Sequence, residues 1–320
     1  MSMFKNLMEG GNRKQETTDG YERRLITLND GKPLDNLAFL YNYDGIVEKI
    51  QQKYKITTQR NFIISIVSVL KNVKVMKSMY DKYSKLLEEY NNTLKTNNTK
   101  TDVQKANWIT QDEVIKVYTN LYENVYPNLC KNRGIPSNTQ CNNRGIPSNT
   151  FSKITQLILL AVFVLQQPRR LLDYKNMVLV RKMPKTMDTN LNYADITTGI
   201  FYFNNYKTSK TYKTQEVPIS VKLQELLKCY ISIHPVKLTT KNYIYLLCNY
   251  DGSPINNTTT LTRILNKIFM EYTGKKVSSN LLRNIFLTDT FKTDNDKLNQ
   301  VANNMGTSVG TIQNVYIKND

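Results

Sequence analysis

The sequence predicts a mostly helical α+β protein of two domains, the second of which carries a small antiparallel β-sheet. Apolar residues recur at helical spacing from about residue 33 to residue 90, and again after residue 110. Two short apolar runs, at residues 199–203 and 216–219, flank a polar turn region and predict a β-hairpin. The length of 320 residues and the hydrophobic content of 40% suffice for two buried cores.

The charge and the cysteines restrict the class of protein. The formal net charge is +18 and the pI is near 9.5, which favours a polyanionic partner. The sequence has no long uncharged apolar run and no signal-peptide pattern, so we expect an intracellular protein that binds nucleic acid and no membrane. The four cysteines lack metal-ligand spacing and the density of a small disulfide domain, so we expect reduced thiols and no metal.

Composition and periodicity divide the chain into three segments. Residues 1–30 are polar and lack a sustained apolar period, which is typical of a flexible arm. Residues 31–103 carry helical stripes, and the run at 61–70 is apolar nearly all round, which predicts a central helix. This segment fits either an ordinary helical domain with solvated lysines or a basic clamp on duplex phosphates. A polar linker at 91–105 then leads into a second domain, 104–320.

A sharp helix start opens the second domain. Thr110 and Glu113 have the spacing of a capping box, in which each side chain bonds the backbone of the other. Ile109 and Val114 have the spacing of the hydrophobic staple that accompanies such a start. We therefore predict a helix that begins directly after Thr110.

Residues 130–151 contain a tandem repeat, CKNRGIPSNTQ followed by CNNRGIPSNTF. Two copies are too few for a solenoid, and Gly-Ile-Pro-Ser-Asn is typical of loops. We interpret the duplication as a tolerated loop insertion. Its arginines, Arg133 and Arg144, are secondary candidates for nucleic-acid contacts.

An arginine pair follows the apolar helix predicted at residues 154–165. Arg169 and Arg170 stand at the exit of this helix, where a buried guanidinium is costly unless it has a partner. Asp173 is one turn from Arg170, so we expect it to orient that side chain. The pair is either a structural ion pair or a forked donor held ready for a phosphate.

Three lysines lie near the tip of the predicted hairpin, Lys207, Lys210 and Lys213. Lysines at such tips commonly serve solubility or protect a sheet edge. Downstream, an apolar helical stripe places Arg283 at the edge of a buried helix. The single histidine, His234, precedes a proline at a predicted helix end, so we expect a surface or capping residue.

The segment from Met305 to Tyr316 predicts a short C-terminal helix. A glycine followed by small hydroxyl residues can cap a helix start. Ile312, Val315 and Tyr316 then share one face at the spacing of a packed stripe. Taken alone, this segment fits a helix that docks its tyrosine ring into a core.

Together with the motifs upstream, this segment resembles the tyrosine recombinase (phage integrase) family over about residues 33 to 320. The first arginine box of the family, an Arg with an acid three places later, matches Arg170 and Asp173. Its hairpin lysine, ahead of a Val-Pro strand, matches Lys210. The order and the internal spacing of these motifs carry the resemblance more than any single motif does.

The two remaining boxes also occur, each with a substitution. The His-x-x-Arg box falls on Asn280 and Arg283, and the final Gly-His box with its tyrosine falls on Gly306, Thr307 and Tyr316. The resemblance therefore implies six catalytic positions. They are Arg170, Lys210, Asn280, Arg283, Thr307 and Tyr316.

The resemblance implies a helical core-binding (SAM-like) domain followed by a catalytic domain that cuts and rejoins double-stranded DNA. Arg170 and Arg283 would hold the phosphate oxygens. Tyr316 would attack to form a 3′-phosphotyrosyl bond, and Lys210 would protonate the departing 5′ oxygen. Lys207 and Lys213 are the alternatives for that proton. The chemistry needs no metal and no cofactor, and it implies self-association on DNA, from dimer to tetramer.

The substitutions leave alternatives open. Asn280 and Thr307 stand where the family has histidines, and neither can accept a proton as an imidazole does. We therefore expect a slower recombinase, with a type IB topoisomerase-like nicking-closing enzyme or a catalytically silent DNA-binding relative as alternatives. Only four residues follow Tyr316, so we expect assembly through surfaces other than a C-terminal helix. A virus or a mobile element is the expected source, and the sequence leaves open whether the protein acts in a nucleus or in cytoplasm.

Overall fold

The computed structural model describes Phe4 and residues 15–96, 99–131, 146–291 and 298–318. The chain forms two compact units, Met1–Asn98 and Thr99–Asp320, and each is described by itself. The sequence placed the corresponding boundary between residues 103 and 104.

The first unit is helical. Its helices are α1 Gln15–Leu28, α2 Tyr43–Lys53, α3 Ile56–Leu70 and α4 Lys77–Thr96, with 3-10 turns at Ala38–Tyr41 and Lys74–Met76. Helix α3 packs against α4, α1 and α2, and it buries Phe62, Ile63 and Ile66. The nearly all-round apolar run predicted to be the central helix of this unit is therefore confirmed.

The expectation of a flexible arm up to residue 30 is wrong for its second half. Gln15–Leu28 forms helix α1, which buries Leu25 and Leu28 in the core of the first unit. Contact with α3 supplies the stabilisation that this polar stretch lacks by itself, because most helical stability in proteins comes from tertiary packing. Residues 1–3 and 5–14 of the predicted arm lie outside the described residues.

The second unit is also mostly helical. Its helices are α5 Asp102–Asn107, α6 Gln111–Lys131, α7 Ser148–Val164, α8 Leu171–Lys175, α9 Ser209–Tyr212, α10 Val221–Ile233, α11 Thr258–Thr273, α12 Ser279–Phe291, α13 Leu298–Asn304 and α14 Val309–Thr311. Helix α7 is almost wholly buried and packs against α6, α10 and α11. It forms the centre of the core.

Helix α6 begins as predicted. The Thr110 backbone N–H donates to Glu113 Oε2 at 2.7 Å, and the Glu113 N–H donates to Thr110 Oγ1 at 3.2 Å. Ile109 and Val114 are both buried beside this cap. The capping box and the staple are therefore confirmed.

A five-stranded sheet lies against these helices. Its strands are β1 Met177–Val180, β2 Asn192–Asp195, β3 Ile200–Phe203, β4 Gln215–Pro218 and β5 Ile244–Tyr245, in the order β4-β3-β2-β1-β5. Strands β3 and β4 pair antiparallel, with Ile200 opposite Pro218, so the predicted hairpin is confirmed.

The sheet is mixed and not purely antiparallel, which corrects the sequence-based expectation. Strand β1 pairs parallel with β2 and antiparallel with β5. The connection at residues 181–191 is long enough to return the chain to the start of β1, whereas a tight turn would have produced a hairpin.

Two further predictions concern the tandem repeat and His234, and a third concerns membranes. Most of the tandem repeat, including Arg133 and Arg144, lies outside the described residues. His234 is the C-terminal cap of α10, so the capping alternative is confirmed. It is fully buried, with Nε2 3.2 Å from Tyr245 O, so the surface alternative is wrong. Across the described ranges, no helix is long and apolar enough to cross a bilayer.

Candidate active site

Of the two arginines between α7 and α8, only Arg169 forms an ion pair with a described residue. Arg169 Nε donates to Asp173 Oδ2 at 2.9 Å, and both side chains are buried. The prediction that Asp173 orients Arg170 is therefore wrong. The prediction fails because helix α8 begins only at Leu171. Arg170 is an extended N-cap residue outside that helix, so the spacing of one helical turn does not place its side chain beside Asp173.

The Arg170 side chain contacts the C-terminal segment instead. Its Nη2 donates to Tyr316 Oη at 3.2 Å, across 146 residues of sequence. Its Nη1 is buried and has no hydrogen-bond partner among the described residues. Arg170 therefore touches the candidate nucleophile and keeps a free donor beside it.

Arg283 lies against the ring of the same tyrosine. It belongs to α12 and is 0% exposed, and its Cζ lies 4.3 Å from the centroid of the Tyr316 ring. Within the described part of the chain, Nε, Nη1 and Nη2 all lack a hydrogen-bond partner. The pKa of Arg283 is lowered to about 10, mainly because burial disfavours the charged form; Tyr316 opposes this effect, Arg170 adds to it, and Asp173 opposes it.

Tyr316 ends a turn of π-helix, Ile312–Tyr316, which follows α14. The Ile317 N–H donates to Ile312 O at 3.0 Å, the five-residue spacing of that geometry. Ile312 and Tyr316 are buried as predicted, but Val315 is 50% exposed. The wider π turn rotates Val315 away from the face that ordinary helical spacing would have given it.

The Gly306 turn joins this segment to the hairpin connection. Gly306 has φ +62°, and its carbonyl oxygen accepts a bond from Thr208 Oγ1 at 2.8 Å. Thr208 directly precedes α9, which contains the exposed Lys210. A Cβ on residue 306 would lie 2.6 Å from Arg169 Nη2. The turn therefore has room only for glycine, and it links the lysine-bearing connection to the tyrosine-bearing segment.

Replacing Gly306 with alanine is expected to destabilise the protein and slow any reaction at Tyr316. The left-handed backbone alone costs about 1–2 kcal/mol, and the clash with Arg169 adds to it. Gly274→Ala is the matched control, because Gly274 has φ +68° but no atom within 4 Å of its added Cβ. Thermal unfolding of both variants measures the difference, and equal losses of stability would show that the clash is absent.

The two positions that replace the family histidines differ in exposure. Asn280 is exposed on the first turn of α12, one turn before Arg283. Thr307 is 4% exposed, and its N–H donates to Ala302 O at 3.0 Å. Of the six predicted positions, Arg170, Arg283 and Tyr316 are in direct contact.

Sequence reasoning missed the importance of Arg169, Gln215 and Asn304. Arg169 Nη2 donates to Gln215 Oε1 at 3.0 Å, and Nη1 donates to Asn304 O at 2.6 Å. An acidic residue only four positions after Arg169 was a usable signal for this ion pair. No sequence signal could have identified the other two, which lie 46 and 135 residues away from Arg169.

The electrostatics of the site favour an anion. Asp173 neutralises Arg169, and burial raises the pKa of the Asp173 carboxyl while Arg169 opposes that shift. Among the described residues, Arg170 and Arg283 form no ion pair with an acidic side chain, and a buried cation without a counter-charge is costly. Over the described ranges, no group of three or more His, Cys, Asp or Glu side chains could hold a metal ion.

Comparison with known proteins gives limited matches. The family model of beta-1,4-N-acetylgalactosaminyltransferase (CgtA) matches residues 26–135, less than half of the chain, and this span ends before Arg170. A crystal structure of XerA recombinase is similar with a TM-score of 0.44 and 15% identity, covering 99% of this chain and 93% of that chain. No curated protein sequence is significantly similar to this chain.

Proposed function

We propose that this protein cuts and rejoins double-stranded DNA inside the cell through a covalent bond between Tyr316 and a 3′ phosphate. Within that chemistry we propose a site-specific recombinase or integrase that self-associates on DNA, as the sequence motifs imply. A net charge of +18 supports a polyanionic substrate.

The observation that carries the proposal is the buried guanidinium of Arg283 against the Tyr316 ring. Its three nitrogens lack partners among the described residues, and so does Nη1 of Arg170, whose Nη2 bonds the hydroxyl of the same tyrosine. Buried donors are normally satisfied, so an orphaned set in a native fold calls for a ligand. A tetrahedral phosphate, with two non-bridging oxygens to accept from two guanidinium groups, fits this donor set.

The reaction follows from these contacts. The Tyr316 hydroxyl gives its proton to water, and its oxygen attacks phosphorus in line with the 5′ oxygen. The bond from phosphorus to the 5′ oxygen breaks, Lys210 protonates that oxygen, and a 3′-phosphotyrosyl bond remains. Negative charge grows on the non-bridging oxygens, where Arg170 and Arg283 stabilise it. The Arg170 Nη2 group also donates to Tyr316 Oη, so this cationic side chain already contacts the attacking oxygen. Rejoining is the reverse attack by a free 5′ hydroxyl.

Trapping on a nicked suicide duplex tests the proposal. The short fragment beyond the scissile bond diffuses away after cleavage, so a covalent protein–DNA adduct accumulates that survives denaturation. We expect such an adduct with the unmodified protein. Intact DNA binding with no adduct would instead support a catalytically silent DNA-binding protein.

A second assay separates the two cutting-and-rejoining alternatives. Exchange of strands between two labelled duplexes supports a recombinase. Relaxation of supercoiled DNA without exchange supports a topoisomerase-like enzyme and would contradict the recombinase assignment.

Lys210→Ala is expected to slow cleavage by about 100-fold, the low end of the range for general-acid catalysis. The low end is expected because Lys210 is exposed, so water can reach the leaving oxygen and supply a proton in its place. A substrate with sulfur in place of the bridging 5′ oxygen leaves as a thiolate and needs no proton, so it should restore the rate. Lys207→Ala and Lys213→Ala are the matched controls. If the sulfur substrate restores the cleavage rate of Lys207→Ala or Lys213→Ala but not that of Lys210→Ala, the general acid is the lysine replaced in the restored variant.

A further inference from the structure

Arg169 is a buried arginine that bonds to three separate segments of the second unit. Its Nε donates to Asp173 at 2.9 Å, its Nη1 to the Asn304 carbonyl at 2.6 Å, and its Nη2 to Gln215 at 3.0 Å. Every nitrogen of this guanidinium therefore has a partner. The neighbouring Arg170 and the more distant Arg283 have orphaned nitrogens instead.

Aromatic rings restrict the position of this guanidinium. Arg169 Cζ lies 3.9 Å from the centroid of the Phe203 ring and 5.1 Å from that of Tyr206. The residue is 1% exposed, so it cannot reach a substrate in solution. The planar guanidinium makes three directed hydrogen bonds and contacts two rings. It therefore fixes the distances between its partners more closely than the point charge of an ammonium group would.

Each of the three bonded segments leads to a different candidate catalytic residue. Asp173 lies in α8, whose N-cap is Arg170. Asn304 ends α13 and precedes the Gly306 turn, from which the chain continues to Tyr316. Gln215 opens β4 at the end of the connection that contains Lys210.

We propose that Arg169 is a positioning residue, whose forked bonds to Asp173, Asn304 and Gln215 hold the Arg170, Tyr316 and Lys210 segments in register for DNA cleavage. This inference rests on the proposed function. A positioning residue affects the cleavage rate of the folded protein, whereas a residue needed only for folding affects stability. Measuring both quantities separates the two roles.

The decisive variant replaces the buried ion pair by apolar residues of similar size, Arg169→Met with Asp173→Leu. Such replacements are commonly neutral or stabilising, so thermal stability should be retained. The bonds to Asn304 and Gln215 are lost, and a displacement of about 1 Å in a reacting group can cost about 100-fold in rate. We expect that loss in single-turnover cleavage at saturating DNA, with an unchanged Kd for DNA.

The conservative variant Arg169→Lys supplies a second measurement. Its ammonium can pair with Asp173 but cannot hold all three segments with a planar fork. We therefore expect most of the rate deficit to remain, both on ordinary DNA and on the 5′-sulfur substrate, because Tyr316 as well as Lys210 is displaced. Full recovery of the rate with lysine would overturn the inference. If the double variant does not fold, this single variant decides the question.

Hydrogen exchange separates failure of the inference from failure of the proposed function. The amides of Gly306 and Thr307 bond Asn303 O and Ala302 O, each at 3.0 Å, and they should exchange faster in the Arg169 variants. An adduct with the unmodified protein and an undiminished rate in the variants would refute the positioning role alone. Should the unmodified protein form no adduct, unchanged exchange at these two amides would refute it, and faster exchange would support it.

Discussion

Replacing Tyr316 with phenylalanine is expected to abolish the covalent protein–DNA adduct completely. The hydroxyl is the proposed nucleophile, and it is also the acceptor of the Arg170 bond at 3.2 Å. The phenyl ring can still cover Arg283, so the packing of the C-terminal segment should persist. Loss of one hydrogen bond costs about 1 kcal/mol, which should leave the variant folded.

The controls for Tyr316→Phe use the same duplex. DNA binding should be retained, because removing the hydroxyl leaves the basic charge unchanged. Tyr243→Phe is the matched variant, since Tyr243 is 45% exposed and would keep full adduct formation. Mass spectrometry of the trapped peptide should locate the modified residue at Tyr316. An adduct that persists in Tyr316→Phe, or one located on another tyrosine, would refute the proposed nucleophile.

Replacing Arg283 with methionine is expected to have opposite effects on activity and on stability. Loss of a preorganised donor to the transition-state phosphate costs about 100- to 1000-fold in rate, and the upper end is expected because three nitrogens are removed. Removing a fully buried and unpaired charge should at the same time stabilise the fold by about 1 to 4 kcal/mol. Single-turnover cleavage and thermal unfolding measure the two effects.

The pH dependence of this stability gain follows from the lowered pKa of Arg283. The folded state holds the proton less tightly than the unfolded state, with a pKa of about 10, well below the ordinary value of an arginine. The free-energy penalty of burying the charged Arg283 is therefore fully present below pH 10 and is relieved only as the pH rises above that value. Between about pH 6 and about pH 9 the gain in Arg283→Met should not change.

Arg263→Met is the control for charge alone. Arg263 is exposed on α11, so its loss removes the same unit of charge from the surface. Stability should stay within about 0.5 kcal/mol of the unmodified protein. If Arg283→Met instead loses stability and keeps its cleavage rate, Arg283 is a structural residue, and the phosphate site proposed here is wrong.

The substitutions at the two histidine positions are expected to affect the rate of the proposed cleavage and not the arrangement of the arginines around Tyr316. Thr307 is buried beside the Gly306 turn, whereas Asn280 is exposed one turn before Arg283. Neither residue type accepts a proton near neutral pH. At the tyrosine itself, Arg170 Nη2 donates to Tyr316 Oη, so the proposed nucleophile already contacts a cationic donor.

Local pattern was sufficient to predict much of the framework. Continuous apolar runs predicted α3 and α7, reciprocal side-chain spacing predicted the start of α6, and two short apolar runs predicted the hairpin of β3 and β4. These features depend on residues a few positions apart, and their periodicity is written in the sequence itself. The burial of Ile312 and Tyr316 followed from the same kind of pattern, whereas Arg283, expected at the edge of a buried helix, is fully buried.

Tertiary structure decided which partner each polar group obtained. Asp173 pairs with Arg169 and not with Arg170, because α8 begins only at Leu171. The helix at Gln15–Leu28 and the parallel pairing of β1 with β2 likewise depend on contacts that local pattern does not contain.

The sequence by itself thus determined the residue types available for phosphate chemistry and their order along the chain. The fold alone decided that Arg170 meets Tyr316 across 146 residues while Arg283 stacks on its ring. The physical reason is that local spacing determines helices and turns, whereas a buried charge takes its partner from whichever segments the fold brings within about 3 Å.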